Sequence, residues 1–264
     1  MQDIVNDARN TIGTADLLEV FWRSFLIQAS WSYERMQSIG FAYAIEPALR
    51  KLYPDRADYE ARLRLHLEYF NTQPYFASFI LGAAVRLEED RATGSDAAVD
   101  VSALKTALMA PLGALGDSFF WGALKPLTAV AAVAVIMTGS WWGPLLFLAL
   151  YNAWHVGLRL GMVFRGYASR GDAVALMARH RFTKQARMFK VITLGMLGGI
   201  LGMLPLLRQE FRPAFSGGGG VTTAAAGLIV TLGLVALARR RGSPVKFMLG
   251  LAALCLALAY AGVV

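Results

Sequence analysis

The sequence predicts an all-α membrane protein, with a helical first half carrying re-entrant hairpins and about four or five transmembrane helices toward the C-terminus. Three observations lead there. Apolar residues make up 56% of the 264-residue chain and the mean hydropathy is +0.46, which pulls the average toward membrane proteins. Charge is divided unevenly: residues 1–125 hold 12 Lys and Arg against 16 Asp and Glu, whereas residues 126–264 hold 14 against 2. No run alternates apolar and polar residues as a half-buried strand requires. The chain therefore reads as a mixed-charge helical region with membrane-inserted hairpins over 1–125 and a transmembrane helical region over 126–264, together one integrated domain.

Taken in order, Met1–Asp16 is polar and acidic and lacks the basic start and apolar core of a signal peptide. Thr14–Ala15–Asp16 suits a helix start before Leu17. A helix through Phe21–Tyr43 would place Ser24, Gln28, Trp31 and Arg35 on one face, with Glu34 and Gln37 on a neighbouring one. Glu60–Phe70 and Tyr75–Glu89 are helical by pattern, separated by Pro74, and Asp90–Asp100 is a polar surface loop. Two apolar segments break the rules. Val20–Ser30 is too short to span and is interrupted by Gln28, and Leu104–Leu127 is broken by Pro111, Gly113, Gly116, Asp117 and Gly122. Short or interrupted segments of this kind enter the membrane and turn back, or line a cavity.

Spans are expected at Leu127–Thr138 (extending back through Leu124), Trp141–Phe164, Met188–Leu207, Thr222–Ala238 and Val245–Val264. The loop Arg165–Lys190 carries seven basic residues against Asp172, and Arg239-Arg240-Arg241 with Lys246 forms a second basic cluster. The positive-inside rule puts both in the cytoplasm. The Gly217–Gly220 loop and the C-terminus then face outside, and the N-terminus is cytoplasmic. Gly195/Gly199 and Gly198/Gly202 share a helix face, where small residues admit close helix packing.

The basic balance could suggest nucleic acid, but the basic residues lie in short clusters between apolar runs, so a membrane surface is the better partner. The lone Cys255 cannot form an internal disulfide. His66, His155 and His180 are too scattered for a zinc set. Any of them could in principle accept a phosphoryl group, but none has a supporting motif. No nucleophile–base pattern and no phosphate-binding loop is present, and nothing calls for a cofactor. Amides, carboxylates and an indole on the Phe21–Tyr43 segment are groups a sugar uses. Residue types alone favour a plainer reading, with Trp31 and Tyr33 as interfacial aromatics and Glu34 paired to Arg35. In the Pro111–Gly122 stretch the glycines permit a tight turn at membrane depth. Asp117 at that turn would be a functional residue, the cap of a helix starting at Ser118, or both. Arg159, inside an apolar segment near Arg165, is expected to snorkel to the cytoplasmic surface.

These residues resemble a known family. Arg23-Ser-Phe-Leu-Ile-Gln-Ala-Ser-Trp-Ser-Tyr-Glu-Arg-Met-Gln37 followed by Gly40-Phe-Ala-Tyr43 is similar to the opening signature of IID subunits of mannose/fructose/sorbose phosphotransferase systems. The blocks His66–Tyr75, Ile80–Glu89 and Gly113–Pro126 continue the resemblance, as do Asn152, Arg159, Gly166-Tyr167 and Gly171. They cover most of residues 21–171; beyond Asp172 only hydropathy and topology match, and Arg208–Gly220 is shorter than in such subunits. The resemblance implies a bacterial inner-membrane protein paired with a IIC subunit, the pairs forming trimers. It further implies soluble IIA and IIB components that relay phosphate to an incoming hexose, and a IID chain that is not itself phosphorylated. Both odd apolar segments correspond to the family's re-entrant hairpins. Gln28, Trp31, Glu34, Arg35, Asn71 and Asp117 fall in matching blocks and are carried over as residues of the sugar path or the IIC interface. A regulatory or sensory membrane protein derived from the same family is the alternative reading.

Overall fold

The structure is a computed structural model that describes residues 11–94, 100–169 and 182–207. The described residues form helices: α1 (Thr14–Arg23), a 3-10 turn (Ser24–Leu26), α2 (Ser38–Leu52), α3 (Arg56–His66), α4 (Ala77–Ala92), α5 (Val101–Gly116), a π-helical stretch (Asp117–Leu124), α6 (Lys125–Met137), α7 (Gly143–Ala168) and α8 (Phe182–Leu207). No strand forms among them; isolated bridges join Met36 to Ser32 and to Phe70. The chain divides into two compact units, residues 1–196 and 197–264. The second contributes only the end of α8 to the described residues. The expected spans Thr222–Ala238 and Val245–Val264, the Arg208–Gly220 loop and the Arg239–Lys246 cluster lie outside them.

Local chemistry sets the helix starts. The Asp16 carboxylate accepts from the Gly13 N–H at 2.7 Å and closes the first turn of α1. Asp55 caps α3 through the N–H groups of Ala57 and Asp58, and Asp100 caps α5 through that of Ser102. α7 carries Pro144 in its first turn, where the missing N–H costs nothing.

Helix α4 is the centre of the first unit. Its residues from Ala77 to Val85 are all buried, as expected of a helix apolar on every side, and α2, α5 and α7 pack around it. A Cβ on Gly82 would lie 2.0 Å from the Val163 carbonyl oxygen, and one on Gly166 would lie 2.1 Å from the Phe79 carbonyl oxygen. The α4 and α7 backbones therefore touch, and only glycine fits at those two positions. By contrast, nothing described lies within 4 Å of a Cβ at Gly195, Gly198 or Gly199.

Two expectations are corrected. A continuous helix through Phe21–Tyr43 does not form. α1 ends at Arg23, and Met36 adopts a left-handed φ of 53°. Ser32 and Met36 exchange backbone hydrogen bonds at 3.3 and 2.8 Å, while Gln37 N–H donates to Phe70 O at 2.8 Å. Pairing with the Phe70 segment, 34 residues away, satisfies donors that a local helix would otherwise have used. α1 and α2 pack against each other as a helical pair with residues 24–37 at the tip, and Gly40 lies against the Ile27 backbone. The face predicted from helical spacing is lost: Ser24 is buried, its hydroxyl bonded to Phe21 O.

The second correction concerns Leu104–Leu127, which does not turn back. One helix runs from Val101 to Met137, long and apolar enough to cross a membrane by length and composition. Gly116 has φ −66° and Asp117 is right-handed helical, so neither a glycine turn nor a cap at Ser118 exists. The helix absorbs the irregular sequence by widening into a π stretch that starts at Asp117. Smaller differences follow: α3 ends at His66 rather than Phe70, α4 continues past Asp90 to Ala92, and Arg165, Lys184, Arg187 and Lys190 lie on helices instead of in a loop.

Candidate functional site

A cavity of about 560 Å³ opens between the tip of the first helical pair, the Tyr69–Pro74 segment, α5 and the π stretch. This is within the usual range for small-ligand sites. Its polar lining comes from Gln28, Gln37, Asn71, Thr72, Gln73 and Asp117, and its aromatic lining from Tyr69 and Trp121. Of the six residues singled out from sequence, the fold brings together Gln28, Asn71 and Asp117. Trp31, Glu34 and Arg35 sit apart on the exposed tip. There Trp31 meets Tyr33 edge-on at 5.0 Å, and Arg35 contributes its backbone carbonyl to the N–H groups of Ser38 and Phe70. Glu34 makes no ion pair with Arg35 among the described contacts.

The cavity wall is held from several directions. The Gln37 side chain is bonded at both ends, donating to Thr72 O at 2.8 Å and accepting from Thr72 N–H at 3.2 Å. The Thr72 hydroxyl donates to Met109 O at 2.9 Å, fastening the segment to α5. Pro111, two residues further on, has no N–H. Gln73 Oε1 accepts from the N–H groups of Tyr75 and Phe76 at 2.8 and 3.0 Å and so caps the entry to α4. Gly116 gives this segment room, because a Cβ there would fall 2.5 Å from the Gln73 Cβ and 2.7 Å from the Phe76 ring.

Behind the wall lies Arg159. The expectation that it snorkels is overturned: the side chain is only 3% exposed. It points inward onto a carbonyl and two aromatic rings, while its Nε and Nη1 have no hydrogen-bond partner among the described residues. Nη2 donates to Pro74 O at 3.2 Å, and the guanidinium lies 4.4 Å from the Phe25 ring centre and 5.1 Å from that of Tyr75. Tyr75 in turn stacks on His155 at 4.7 Å and bonds Tyr151 hydroxyl to hydroxyl at 3.1 Å. Sequence alone offered only the rarity of an arginine in an apolar segment.

Neither described histidine lines the cavity. His155 bonds Asn152 at 2.8 Å. His66 is fully buried, its Nε2 2.9 Å from Glu88 Oε1. A carboxylate only accepts, so Nε2 carries the proton, and burial lowers the pKa of His66 despite the nearby Glu88. Arg62 binds both Glu88 oxygens, at 2.9 and 2.6 Å. Burial alone would raise the Glu88 pKa, but the bonds from His66 and Arg62 outweigh it and hold the carboxyl at about 2. This network fastens α3 to α4, away from the cavity. Among the described residues no cluster of His, Cys, Asp or Glu is arranged to hold a metal.

Three comparisons agree on ancestry. Residues 11–209 match the family model for the PTS system mannose/fructose/sorbose family IID component. The mannose-specific EIID component of Escherichia coli K12 is 38% identical over 191 residues, covering 71% of this chain and 67% of that protein. The sorbose-specific EIID component of Klebsiella pneumoniae is 40% identical over 159 residues, 57% of either chain. A chain from a cryo-EM structure of the mannose transporter ManYZ with microcin E492 superposes with a TM-score of 0.57 at 31% identity, covering 96% of this chain and 98% of that one. A second solved membrane protein superposes at 0.70, also with 31% identity. With three quarters of its length inside the family model and relatives above 30% identity over most of both chains, this chain belongs to the IID component family of the mannose/fructose/sorbose phosphotransferase systems.

Proposed function

We propose that this chain acts with a IIC subunit to form the path by which a mannose-type hexose crosses the bacterial inner membrane, while IIA and IIB components supply the phosphoryl group. The observation that carries the reading is the cavity. It combines amides, a hydroxyl and a carboxylate with the Trp121 and Tyr69 rings, the donor, acceptor and flat apolar surfaces that a pyranose uses. Gln28, Asn71 and Asp117 are assigned to the sugar path. Trp31, Glu34 and Arg35, exposed on the tip of the first helical pair, are assigned to the IIC interface. That tip is the part of the chain that enters the membrane and turns back, and the IIC–IID pairs assemble as trimers.

The chain is multi-pass, with the N-terminus cytoplasmic and the C-terminus external. Arg165 at the end of α7 and Lys184, Arg187 and Lys190 at the start of α8 support a cytoplasmic level on that side. Trp141 and Trp142, stacked at 4.3 Å and largely exposed at the start of α7, suit the opposite interface. Exposed Val133, Ile136, Leu145, Leu148, Val191 and Leu194 give α6, α7 and α8 the outward apolar surface that lipid or a membrane partner covers.

The test is phosphoenolpyruvate-dependent uptake of labelled mannose, glucosamine and fructose in a transport-null cell. The cell carries the cognate IIC, IIA and IIB, with and without this chain. Uptake that requires the chain supports the reading; equal uptake without it refutes the assignment.

A further inference from the structure

Gln73 is 2% exposed and lines the cavity, yet its Nε2 has no hydrogen-bond partner among the described residues. Two backbone N–H groups, from Tyr75 and Phe76, donate to its Oε1, and since only an oxygen can accept both, they fix the orientation of the amide. A buried amide donor without a partner is costly, and a protein keeps one where something else supplies the acceptor. The surroundings hold this donor still. Thr72 is bonded to Gln37 and Met109 on one side, Arg159 bonds Pro74 O on the other, and the bare Gly116 backbone packs against the Gln73 stem.

Resting on the reading of the cavity as the sugar path, we propose that Gln73 Nε2 donates a hydrogen bond to a hydroxyl oxygen of the transported sugar in its unphosphorylated form. The cavity distinguishes neutral from charged ligands. A sugar hydroxyl accepts from Gln73 and donates to Asp117, which lines the same cavity. A phosphoryl group would meet the Asp117 carboxylate with no Lys or Arg in the lining to offset it. Gln73 is thus a specificity-determining contact for substrate, and the site favours entry of free sugar over retention of its phosphate ester.

Gln73→Glu keeps an oxygen to cap α4 and puts a second, negatively charged acceptor where the donor was. In the complete IIC–IID complex with IIA and IIB, Gln73→Glu is expected to raise the uptake KM roughly tenfold or more, the effect of one lost hydrogen bond to ligand. Thermal stability is expected to fall, because the added charge is buried, so KM is read on the protein that reaches the membrane. Measured across a series of monodeoxy sugars, the KM penalty should vanish for the analogue lacking the hydroxyl that Gln73 contacts. A penalty equal for every analogue, or none at all, overturns the proposal. Asn71→Ala and Asp117→Asn serve as controls on the underlying reading. If they raise KM while Gln73→Glu does not, only the Gln73 contact is wrong; if all three leave KM unchanged, the cavity is not on the sugar path and the contact falls with it. Should Gln73→Glu reduce membrane yield, the deoxy-sugar series on the protein that remains still decides between the two outcomes.

Discussion

Replacing Glu88 by Gln removes one charge from a buried site where Arg62, His66 and the Tyr53 hydroxyl all converge on the carboxylate, at 2.6 to 2.9 Å. The Glu88 side chain has no exposed surface, so solvent screens little of the interaction. A carboxyl held at about 2 instead of 4.5 corresponds to about 3 kcal/mol of stabilisation, in line with the roughly 3–5 kcal/mol for breaking a buried pair from one side. The sign follows from the lowered pKa. The contribution is complete above pH 4.5, the ordinary value for the unfolded chain, and is lost as pH falls through 4.5 toward about 2. Acid also charges His66, whose folded pKa lies below 6.5; because Glu88 raises that pKa, the variant loses stability below pH 6.5 at least as steeply as wild type. The assay is thermal unfolding of the purified IIC–IID complex in lipid nanodiscs from pH 7 to pH 3. Glu88→Gln is expected to melt well below wild type from pH 7 to about 5, with the gap narrowing below 4.5. Equal melting at pH 7, or a gap that ignores pH down to 3, refutes the reasoning.

Other outcomes are expected elsewhere. Asp117→Asn should reduce sugar uptake several-fold with normal membrane insertion, measured by uptake and by the amount of chain in washed membranes; Asp117 lines the cavity, lies within a continuous helix and forms no ion pair among the described residues. Gly116→Val should lower the yield of assembled complex through collision with Gln73 and Phe76, at about 1–3 kcal/mol for overpacking; the same yield as wild type would show that the segment yields freely. Gly166→Ala should cost at least as much by forcing apart the α4 and α7 backbones, read as a drop in melting temperature of the complex. Arg159→Leu should destabilise by about 1.5–3 kcal/mol through loss of the charged bond to Pro74 O, visible as earlier protease cleavage in the Asn71–Tyr75 segment.

Helix content, the break near Pro74 and the helix start at Thr14–Asp16 are legible from the sequence, because each depends on neighbours within a turn or two of chain. So is the family, since ordered blocks from Arg23 to Gly171 survive as strings. Half of the expected site was legible for the same reason: Gln28, Asn71 and Asp117 lie inside those blocks and meet in the cavity. Trp31 and Arg35 were grouped with Gln28 by an assumed helical face, with Glu34 on the neighbouring one. That face vanished because Met36 turns left-handed and the chain pairs with Phe70.

Tertiary structure alone decided what depends on distant partners. The glycines and proline of Leu104–Leu127 read as a turn, yet the helix passes straight through, widened at Asp117. Gly116 is needed for close approach to Gln73 and Phe76, at an ordinary helical φ. Arg159 turned inward because Phe25 and the adjacent Pro74 and Tyr75, all far from it in sequence, assemble a site for its guanidinium. Gln73 gave no signal at all, for an unpaired amide is defined only once every other group has found its partner. Local sequence thus determined which segments are helical and which family they belong to. Packing across 30 to 150 residues of intervening chain determined which side chains face one another, because that choice is made by steric fit and hydrogen-bond satisfaction between elements that no sequence window contains.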